Sequence, residues 1–229
     1  MPRSETPPMP SALLADANVA TLNTKAQPRQ KRAQETYELI LGATAQLLAE
    51  VGIERLSTNL VCERAGISPP ALYRYFPNKY ALLGALGTRL MQEQNALVEV
   101  WATPATLVLD EAGLKASIYA LYAQTLDLTR AMPEGLWVTR ALRAVPTLAP
   151  IRIASHAHVA GLIVHAFMSA HPHAQINRVR TLARLSVEMV YAALEMLFDD
   201  PSQDEHATGE ALAEMLARQV VLVRQTRSA

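Results

Sequence analysis

The sequence has little cysteine and no long hydrophobic run, and each shortage excludes a class of protein. Its one cysteine, Cys62, cannot form an internal disulfide, which argues against a secreted protein built on disulfides and suits a reducing cytoplasm. The longest nearly apolar run, residues 159–170, is interrupted by His165 and is shorter than the roughly 18 to 20 residues that span a membrane. The N-terminal segment also lacks the layout of a secretory signal. We therefore expect a cytoplasmic protein with no membrane partner.

Sequence motifs for catalysis and for metal binding are missing as well. There is no glycine-rich phosphate loop and no nucleophile elbow, so an enzyme with an active site in a helical body is the least favoured interpretation. His156, His158 and His165 share one predicted helix, but no two of them are four residues apart, and no acidic residue lies between Glu134 and Glu188. We predict no catalytic residue, no cofactor and no metal site.

Residues 56–79 have the pattern of two short helices around a glycine turn. Ser57 or Thr58 can cap the first helix, because a hydroxyl oxygen accepts a hydrogen bond from a free amide at a helix start. Gly66 ends this helix, since glycine tolerates the left-handed backbone of a sharp helix exit. The pattern predicts a helix followed at once by a tight turn.

A second short helix follows the turn directly. Ser68 is a natural N-cap, and Pro69 suits the first helical position because a missing amide proton costs nothing there. Leu72 and Phe76 are four residues apart, so they share the inward face of this helix. In such a helix-turn-helix the second helix lies in the major groove of DNA, and its outward residues face the base edges.

The outward residues of the second helix, with two flanking side chains, are the predicted contacts to DNA. Arg74 can reach a guanine or a phosphate, and Tyr73 and Tyr75 can hydrogen-bond phosphates. Core packing is the alternative for Tyr75. Thr58 and Lys79 lie in the first turns of their helices, where exposed amides also hold phosphates. The full predicted set is Thr58, Ser68, Pro69, Pro70, Ala71, Tyr73, Arg74, Tyr75 and Lys79.

Residues 65–79, with the sequence A-G-I-S-P-P-A-L-Y-R-Y-F-P-N-K, resemble the N-terminal domain of the TetR family. The resemblance covers about residues 33–90, and beyond them the chain is similar only in being helical and of suitable length. Departures from the usual family pattern include the pair Pro69-Pro70 and Tyr75 in place of a frequent histidine. The resemblance implies a homodimeric one-component regulator, usually a repressor, in which an effector bound to the C-terminal domain alters the geometry of DNA binding.

Positive charge is concentrated near the predicted DNA-reading segment, although the net charge of the whole chain is zero. Residues 29–90 contain 8 basic and 5 acidic residues, whereas the chain from Met91 onward contains 11 basic and 14 acidic residues. Arg29, Lys31 and Arg32 form a basic arm at the first helix. This arm is either a solvated linker or a contact to phosphates or to the minor groove.

Prolines and helical periodicity divide the chain into segments without the alternation typical of strands. We predict an all-α fold of about nine helices, with a first helix that ends at Gly52 and a fourth that runs from about Lys79 towards Trp101. The predicted parts are a disordered tail at 1–28, a three-helix helix-turn-helix DNA-binding domain at 29–83, and a helical-bundle ligand-binding and dimerisation domain at 84–229.

The last two predicted helices, at about 174–198 and 205–224, carry too many apolar residues for one buried face. They can serve both the internal core and a matching pair from a second copy, which predicts a homodimer through a four-helix bundle. The alternative is that all of these residues pack within one subunit. The predicted interface residues are Leu185, Met189, Leu194, Leu212, Leu216, Val220 and Val223.

The segments between the fourth helix and the predicted interface carry aromatic, methionine and arginine residues suited to a mostly apolar cavity. Taken singly, each of these residues is more often ordinary core. Arg140 or Arg143 is a hypothetical anchor for an acidic effector, and the alternative is a surface arginine with a packed stem. The predicted effector-binding residues are Trp101, Tyr119, Tyr122, Trp137, Arg140 and Phe167.

The sequence thus predicts a ligand-responsive DNA-binding transcriptional regulator without enzymatic activity. The expected partners are a palindromic double-stranded DNA operator, a small-molecule effector and a second copy of the chain. The resemblance favours a repressor that the effector releases from DNA. An effector-independent DNA-binding factor is the main alternative, followed by a helical enzyme or a metal-binding protein.

Overall fold

The computed structural model describes residues 31–225, which form ten α-helices, one short 3₁₀ helix and no β-strand. The predicted all-α fold is confirmed, with slightly more helices than expected. The predicted tail at 1–28 and the arm residue Arg29 lie outside the described residues. The helices are α1 Lys31–Arg55, α2 Thr58–Ala65, α3 Pro69–Tyr73, α4 Lys79–Trp101, α5 Pro104–Leu107, α6 Glu111–Ala131, α7 Gly135–Ala144, the 3₁₀ helix Pro146–Leu148, α8 Ala149–Ala170, α9 Ile176–Asp199 and α10 Glu205–Gln225.

The helices α1, α2 and α3, together with the start of α4, form a small head with its own apolar core. α1 contributes Ile40, Leu41 and Leu48, which recur at helical spacing and are almost completely buried. Leu72 of α3 and Phe76 just after it are fully buried as well. Burying such a side chain contributes roughly 1.5–3 kcal/mol, so Leu72 and Phe76 hold α3 and the turn after it in the core of the head.

The first helix continues past the glycine at which the sequence predicted its end. Gly52 has φ 73° and ψ 179°, and the chain then resumes helical structure as far as Arg55. The predicted break is therefore present, but the helix extends beyond it. The ring of Trp137 from α7 lies beside the break, and a Cβ atom built on Gly52 would be 3.4 Å from it. The break thus brings α7 into contact with the head.

The long helix α4 runs without interruption from the head into the rest of the molecule. Asn78 caps it by accepting a hydrogen bond from the Ala81 amide at 2.9 Å, as the sequence predicted. The helix packs against α1, α6, α7 and α8. The predicted domain boundary between residues 83 and 84 falls inside this helix, so a division at that point stays a prediction.

The helices after α4 form a larger bundle, here called the body. α6 packs on α10, α8 packs on α9, and α9 packs on α10. Gly209 of α10 permits a close approach to α6, since a Cβ atom there would lie 2.5 Å from the ring of Tyr122. The short helix α7 packs against both α4 and α1, so it connects the body to the head a second time.

One helical segment among residues 31–225, Pro146–Ala170, is long and apolar enough to cross a membrane by length and composition. The apolar run at residues 159–170, which was judged too short to span a membrane, is only the second half of this segment. Pro150 occupies the first turn of α8, where proline is tolerated. Helices packed inside a protein pass the same test, and α8 packs against α4 and α9, so the segment is weak evidence for a membrane span.

Candidate nucleic-acid interface and internal cavity

Local hydrogen bonds build the turn between α2 and α3. The Ser57 hydroxyl accepts a hydrogen bond from a first-turn amide at 3.3 Å, which identifies Ser57 rather than Thr58 as the cap of α2. Gly66 has φ 63° and ψ 33°, and the amide of Ile67 donates to the carbonyl of Cys62 at 3.0 Å. These bonds end α2 sharply and turn the chain directly into α3.

α3 presents one outward surface, because Leu72 is the residue that it buries. The side chain of Tyr73 is 42% exposed although the ring is large and apolar. An exposed aromatic residue with a hydroxyl group suits a surface that meets a polar partner. The exposed or half-buried residues on this surface, all predicted as DNA contacts, are Ser68, Pro69, Pro70, Ala71, Tyr73 and Arg74.

Two of the predicted phosphate contacts are hydrogen-bonded to each other. The Tyr73 hydroxyl at the end of α3 lies 3.1 Å from the Thr58 hydroxyl at the start of α2. One hydroxyl donates to the other, so the accepting hydroxyl keeps its own proton for an acceptor such as a phosphate oxygen. The bond also fixes α3 relative to the first turn of α2, so the two helices can approach a DNA backbone as one surface.

Tyr75 lies in the apolar core rather than on this surface. Its side chain is 7% exposed, and its ring packs edge-on against Tyr37 at a centroid distance of 6.3 Å. The guanidinium of Arg74 lies 5.7 Å from the centre of the Tyr75 ring. This cation–π contact joins the exposed arginine to the buried tyrosine. Core packing, the alternative that the sequence left open, therefore describes Tyr75.

Lys79 extends the surface at the start of α4. Its side chain is half-buried, with Nζ 3.5 Å from the carbonyl oxygen of Ile53. The amides in the first turn of a helix point outward without intrahelical acceptors and favour a bound anion. The amine and these amides together suit a phosphate of the DNA backbone.

Ion pairs within the head reduce the positive charge that it offers to DNA. Arg64 forms two hydrogen bonds with Glu50, at 2.6 and 2.9 Å, and this contact holds the pKa of the Glu50 carboxyl below its ordinary value. Arg89 pairs with Glu38 at 2.6 Å. Arg74 instead packs on a tyrosine ring at the exposed surface, so its charge faces solvent.

A partly open cavity of about 80 Å³ lies in the body between α4, α6, α8, α9 and α10. Three of the predicted effector-binding residues, Trp101, Tyr122 and Phe167, line it. Each comes from a different helix, because a cavity at the centre of a bundle is closed by the inward faces of several helices. The predicted combination of aromatic residues around an apolar space is therefore present in part.

The other three predicted effector-binding residues make different contacts, outside the wall of this cavity. Arg140 pairs with Asp199 at 2.9 Å and lies 5.4 Å from the centre of the Trp137 ring. The Tyr119 hydroxyl lies 2.8 Å from Nδ1 of His206. The hypothesis that Arg140 anchors an acidic effector is wrong for this cavity, because its guanidinium is held by a carboxylate elsewhere.

Gln94 and Tyr191 supply polar groups of the cavity wall, and neither was predicted from the sequence as a site residue. The Tyr191 hydroxyl donates to the Gln94 side-chain carbonyl at 2.9 Å, and the Gln94 amide donates to Thr129 at 2.8 Å. Burial raises the pKa of Tyr191 above its ordinary value. Gln94 could have been predicted from the sequence, because helical spacing places this polar residue on the same buried face of α4 as Leu90 and Met91.

The outer face of α9 and α10, defined by the exposed residues Leu185, Met196, Met215 and Leu222, is apolar. Leu185 belongs to the predicted dimer interface and is 55% exposed. Met189, also predicted, is half-buried. The remaining predicted interface residues are buried within a single chain, which is the alternative stated for them above. They are Leu194, Leu212, Leu216, Val220 and Val223.

His156 is buried between α8 and α9. Its Nδ1 donates to Glu188 at 3.0 Å, because a carboxylate only accepts, and its ring stacks on Tyr191 at 4.2 Å. Burial lowers the pKa of His156 below its ordinary value, although Glu188 opposes this effect. His158 faces the other way and contacts Glu99, and no group of three metal-ligating side chains is found among residues 31–225.

A family model for bacterial regulatory proteins, the tetR family, matches residues 40–86. The matched residues include the buried face of α1, the turn between α2 and α3, and the first part of α4. Residues 40–86 of this chain therefore have the sequence of a TetR-family N-terminal domain. The TetR-family match falls on the head, where the predicted DNA contacts lie.

Individual TetR relatives match the same part of the chain. The tetracycline repressor protein class A from transposon 1721 of Escherichia coli is 43% identical over 56 residues, which is 24% of this chain and 26% of that protein. The nucleoid occlusion factor SlmA of Haemophilus ducreyi is 36% identical over 63 residues, or 28% of this chain and 30% of that protein. The chain thus spans about a quarter of the length of the first of these curated relatives.

The TetR fold extends beyond the head. A crystal structure of a TetR-family transcriptional regulator from Streptomyces coelicolor aligns with a TM-score of 0.58 at 16% identity, covering 83% of this chain and 90% of that chain. At this identity the likeness concerns the fold alone. It shows that the helical body, as well as the head, has the TetR architecture.

Proposed function

We propose that this protein is a TetR-family transcriptional repressor that binds a palindromic DNA operator as a homodimer and is released by a small-molecule effector. The outward surface of α3 carries the proposal, because its side chains reach solvent instead of packing in the protein. One relative is a repressor by name, which supports this direction of regulation. Because its proposed partner is a DNA operator, we place the protein in the cytoplasm.

Two kinds of DNA contact divide this surface. Thr58, Tyr73 and Lys79 bind phosphates, since the hydroxyls of Thr58 and Tyr73 pair at the surface and the amine of Lys79 lies in the first turn of α4. Arg74 reads a guanine, because a guanidinium pairs with two acceptors on that base. The residues that meet base edges or thymine methyl groups beside it are Ser68, Pro69, Pro70 and Ala71.

The outer face of α9 and α10 supports the proposed homodimer. Exposed Leu185 and Met215 are large apolar residues on adjacent helices, and water disfavours such a surface. Two copies that join through this face bury it in a four-helix bundle. The two α3 helices then enter successive major grooves about 34 to 36 Å apart, which requires a palindromic operator.

Helix α4 supplies the link between the cavity and DNA. It begins at Lys79 in the head and ends at Trp101, which lines the cavity. A ligand that fits one orientation of α4 better than another shifts the equilibrium between the two orientations by its difference in affinity. Release from DNA then needs no contact between the ligand and the DNA.

Binding of the full-length protein to the DNA upstream of its own coding sequence tests this proposal. The measurement is a mobility shift with a salt titration and an excess of non-specific competitor. We expect a saturable shift that resists the competitor and weakens as salt rises, because phosphate contacts release counterions.

Arg74→Ala and Arg143→Ala form a matched pair for this experiment. Arg143 is also exposed, but it lies on α7 and pairs with Glu195 at 3.2 Å, away from α3. We expect Arg74→Ala to weaken operator binding about tenfold and to relax the sequence preference, as for loss of a guanine contact. Equal binding of operator and competitor by the unaltered protein, across several candidate operators, would reject the repressor.

A second candidate is an effector-independent DNA-binding factor. The cavity of about 80 Å³ favours it, because ligand sites commonly have volumes of about 300–1,000 Å³. Another relative is by name a nucleoid occlusion factor. An operator affinity that stays constant while a molecule occupies the cavity would favour this candidate over the effector-released repressor.

A further inference from the structure

We infer that the cavity of the body binds a compact, uncharged and apolar molecule, of the kind represented by an alkylbenzene, and rejects acidic and basic analogues of the same size. This rests on the proposed effector role of the cavity and defines the chemical class of the effector. The charge of the wall, the hydrogen bonds of its polar groups and the volume of the space support it independently.

The wall of the cavity offers no counter-charge to an ionised ligand. Among the described residues, those that line the cavity include no aspartate, glutamate, lysine, arginine or histidine. An ionised carboxylate or ammonium group buried without a partner is strongly destabilised relative to water. The guanidinium of Arg140 does not line the cavity, because it forms an ion pair with Asp199 outside the wall. An acid or an amine would therefore enter only in its neutral form.

The polar groups of the wall are already hydrogen-bonded within the protein. The Tyr191 hydroxyl donates to Gln94, whose amide donates to a threonine of α6. The hydroxyls of Ser186 and Thr125 donate to carbonyl groups of their own helices, each at 2.8 Å. The Trp101 indole donates to a serine at 2.8 Å. The hydroxyl and indole protons of these groups are thus already donated, so a ligand that needs hydrogen-bond donors from the wall is disfavoured relative to an apolar one.

The volume of the cavity limits the size of the ligand. Since one buried water needs roughly 10–15 Å³ of such space, the cavity of about 80 Å³ has room for about five to eight non-hydrogen atoms. A benzene ring with one small substituent has this size. Apolar cavities of this kind stay dry and take up benzene or xenon, because water inside them lacks hydrogen-bonding partners.

Tryptophan fluorescence of the full-length protein provides the test. The chain has two tryptophans, and Trp101 lines the cavity while Trp137 lies beside Gly52. In a Trp137→Phe background, emission therefore reports on the cavity wall. Toluene, benzoate and benzylammonium are titrated as probes of one shape and three charges. We expect a saturable change in emission with toluene. Benzoate and benzylammonium should each bind at least about tenfold more weakly than toluene.

Two variants locate the binding. Ala183 is buried in the wall, so Ala183→Leu fills the cavity, whereas Ala157→Leu makes the same change on the exposed side of α8. We expect toluene binding to be lost in the first and kept in the second. Val190→Phe, at a half-buried wall position, replaces Ala183→Leu if that variant melts below the assay temperature.

The outcomes separate this inference from the proposed function. Absence of saturable toluene binding, equal binding of benzoate or benzylammonium, or toluene binding that survives the filled cavity would each overturn it. The mobility shift is then repeated with toluene present. Toluene binding that leaves operator affinity unchanged would reject the effector role while the ligand class stands, and release from the operator would support both.

Discussion

Two glycines of α1 show how much the backbone conformation of a single residue decides. Gly42 lies in regular helix with no neighbour within 4 Å of an added Cβ atom. Gly52, with φ 73° and ψ 179°, has a conformation that residues with a side chain avoid. The two positions belong to one helix of one sequence, yet we expect alanine to have opposite effects at them.

We expect Gly52→Ala to lower the free energy of unfolding by about 1–3 kcal/mol, because a residue with a side chain is strained at φ 73°, although the space beside the Trp137 ring accommodates a Cβ atom. Gly42→Ala should raise it by about 0.5–1 kcal/mol, since alanine loses less backbone entropy in a helix. Urea unfolding of both variants measures the difference. Equal effects of the two substitutions would contradict the strained break in α1.

Tyr73 and Tyr75 have the same side chain and opposite environments. Tyr73→Phe removes a hydroxyl that is shared with Thr58 at the surface, so we expect operator binding to weaken about fivefold, as for loss of one hydrogen bond. Tyr75→Phe changes a ring that is 7% exposed and should leave operator affinity within about twofold. Titration of a labelled operator by fluorescence anisotropy compares them. A larger loss for Tyr75→Phe would place that hydroxyl, rather than Tyr73, at the DNA.

At the scale of helices, the contact between α8 and α9 contains a buried titratable group. His156 is fully buried, and burial lowers its pKa below the ordinary value. The groups around it are Glu188, Arg152 and Arg184, and the last two pair with the same carboxylate. Burial disfavours an ionised Glu188, but His156 and the two arginines together hold its pKa below the ordinary value, so the carboxylate remains charged in mild acid.

These pKa directions make the stability of the protein dependent on pH. In mild acid His156 is protonated in the unfolded chain but stays neutral in the folded chain. The unfolded state therefore binds more protons, and lowering the pH favours it over the folded state. We expect the free energy of unfolding to fall by as much as about 1 kcal/mol from about pH 7.5 to about pH 5.5 through this group. The loss begins near the ordinary histidine pKa and ends at the lower pKa of the folded state.

Urea unfolding at the two pH values, with two variants of α8, isolates this effect. His156→Gln removes the buried titrating group, so the difference in stability between the two pH values should shrink. His158→Gln removes an exposed histidine that contacts Glu99 and should leave the difference unchanged. The same pH difference in wild type and in His156→Gln would assign the dependence to other groups.

For the whole molecule, the outer face of α9 and α10 determines the expected assembly. Leu185→Glu and Met215→Glu together place two charges on that face, where the proposed homodimer would bury them without partners. Analytical ultracentrifugation should show a fall from the mass of a dimer, about 50 kDa, to the 25.0 kDa of one chain. Operator affinity should fall with it, because each copy then binds one half-site.

Val108→Glu is the matched control for the dimer, since Val108 is 56% exposed but lies after α5, outside α9 and α10. It should leave the mass of the assembly unchanged. A monomeric wild-type protein at micromolar concentration, or a dimer that survives both charges, would contradict the proposed interface.

Local sequence by itself determined most of the head. The cap at Asn78, the left-handed turn at Gly66 and the start of α3 at Pro69 follow from residues within a few positions of one another. The inward pair Leu72 and Phe76 follows from helical spacing. Such features are readable because the interactions that produce them are short-range in sequence.

Only the tertiary structure decided which of several similar side chains are buried and which residues they contact. Tyr75 is buried because Tyr37 lies against it, and Arg140 is excluded from the cavity because Asp199 binds it. On α9 and α10, the apolar residues cover more than one buried face, so their sequence does not distinguish buried Leu194 from exposed Leu185. The physical reason is that burial depends on contacts between helices far apart in the chain, which periodicity within one helix does not specify.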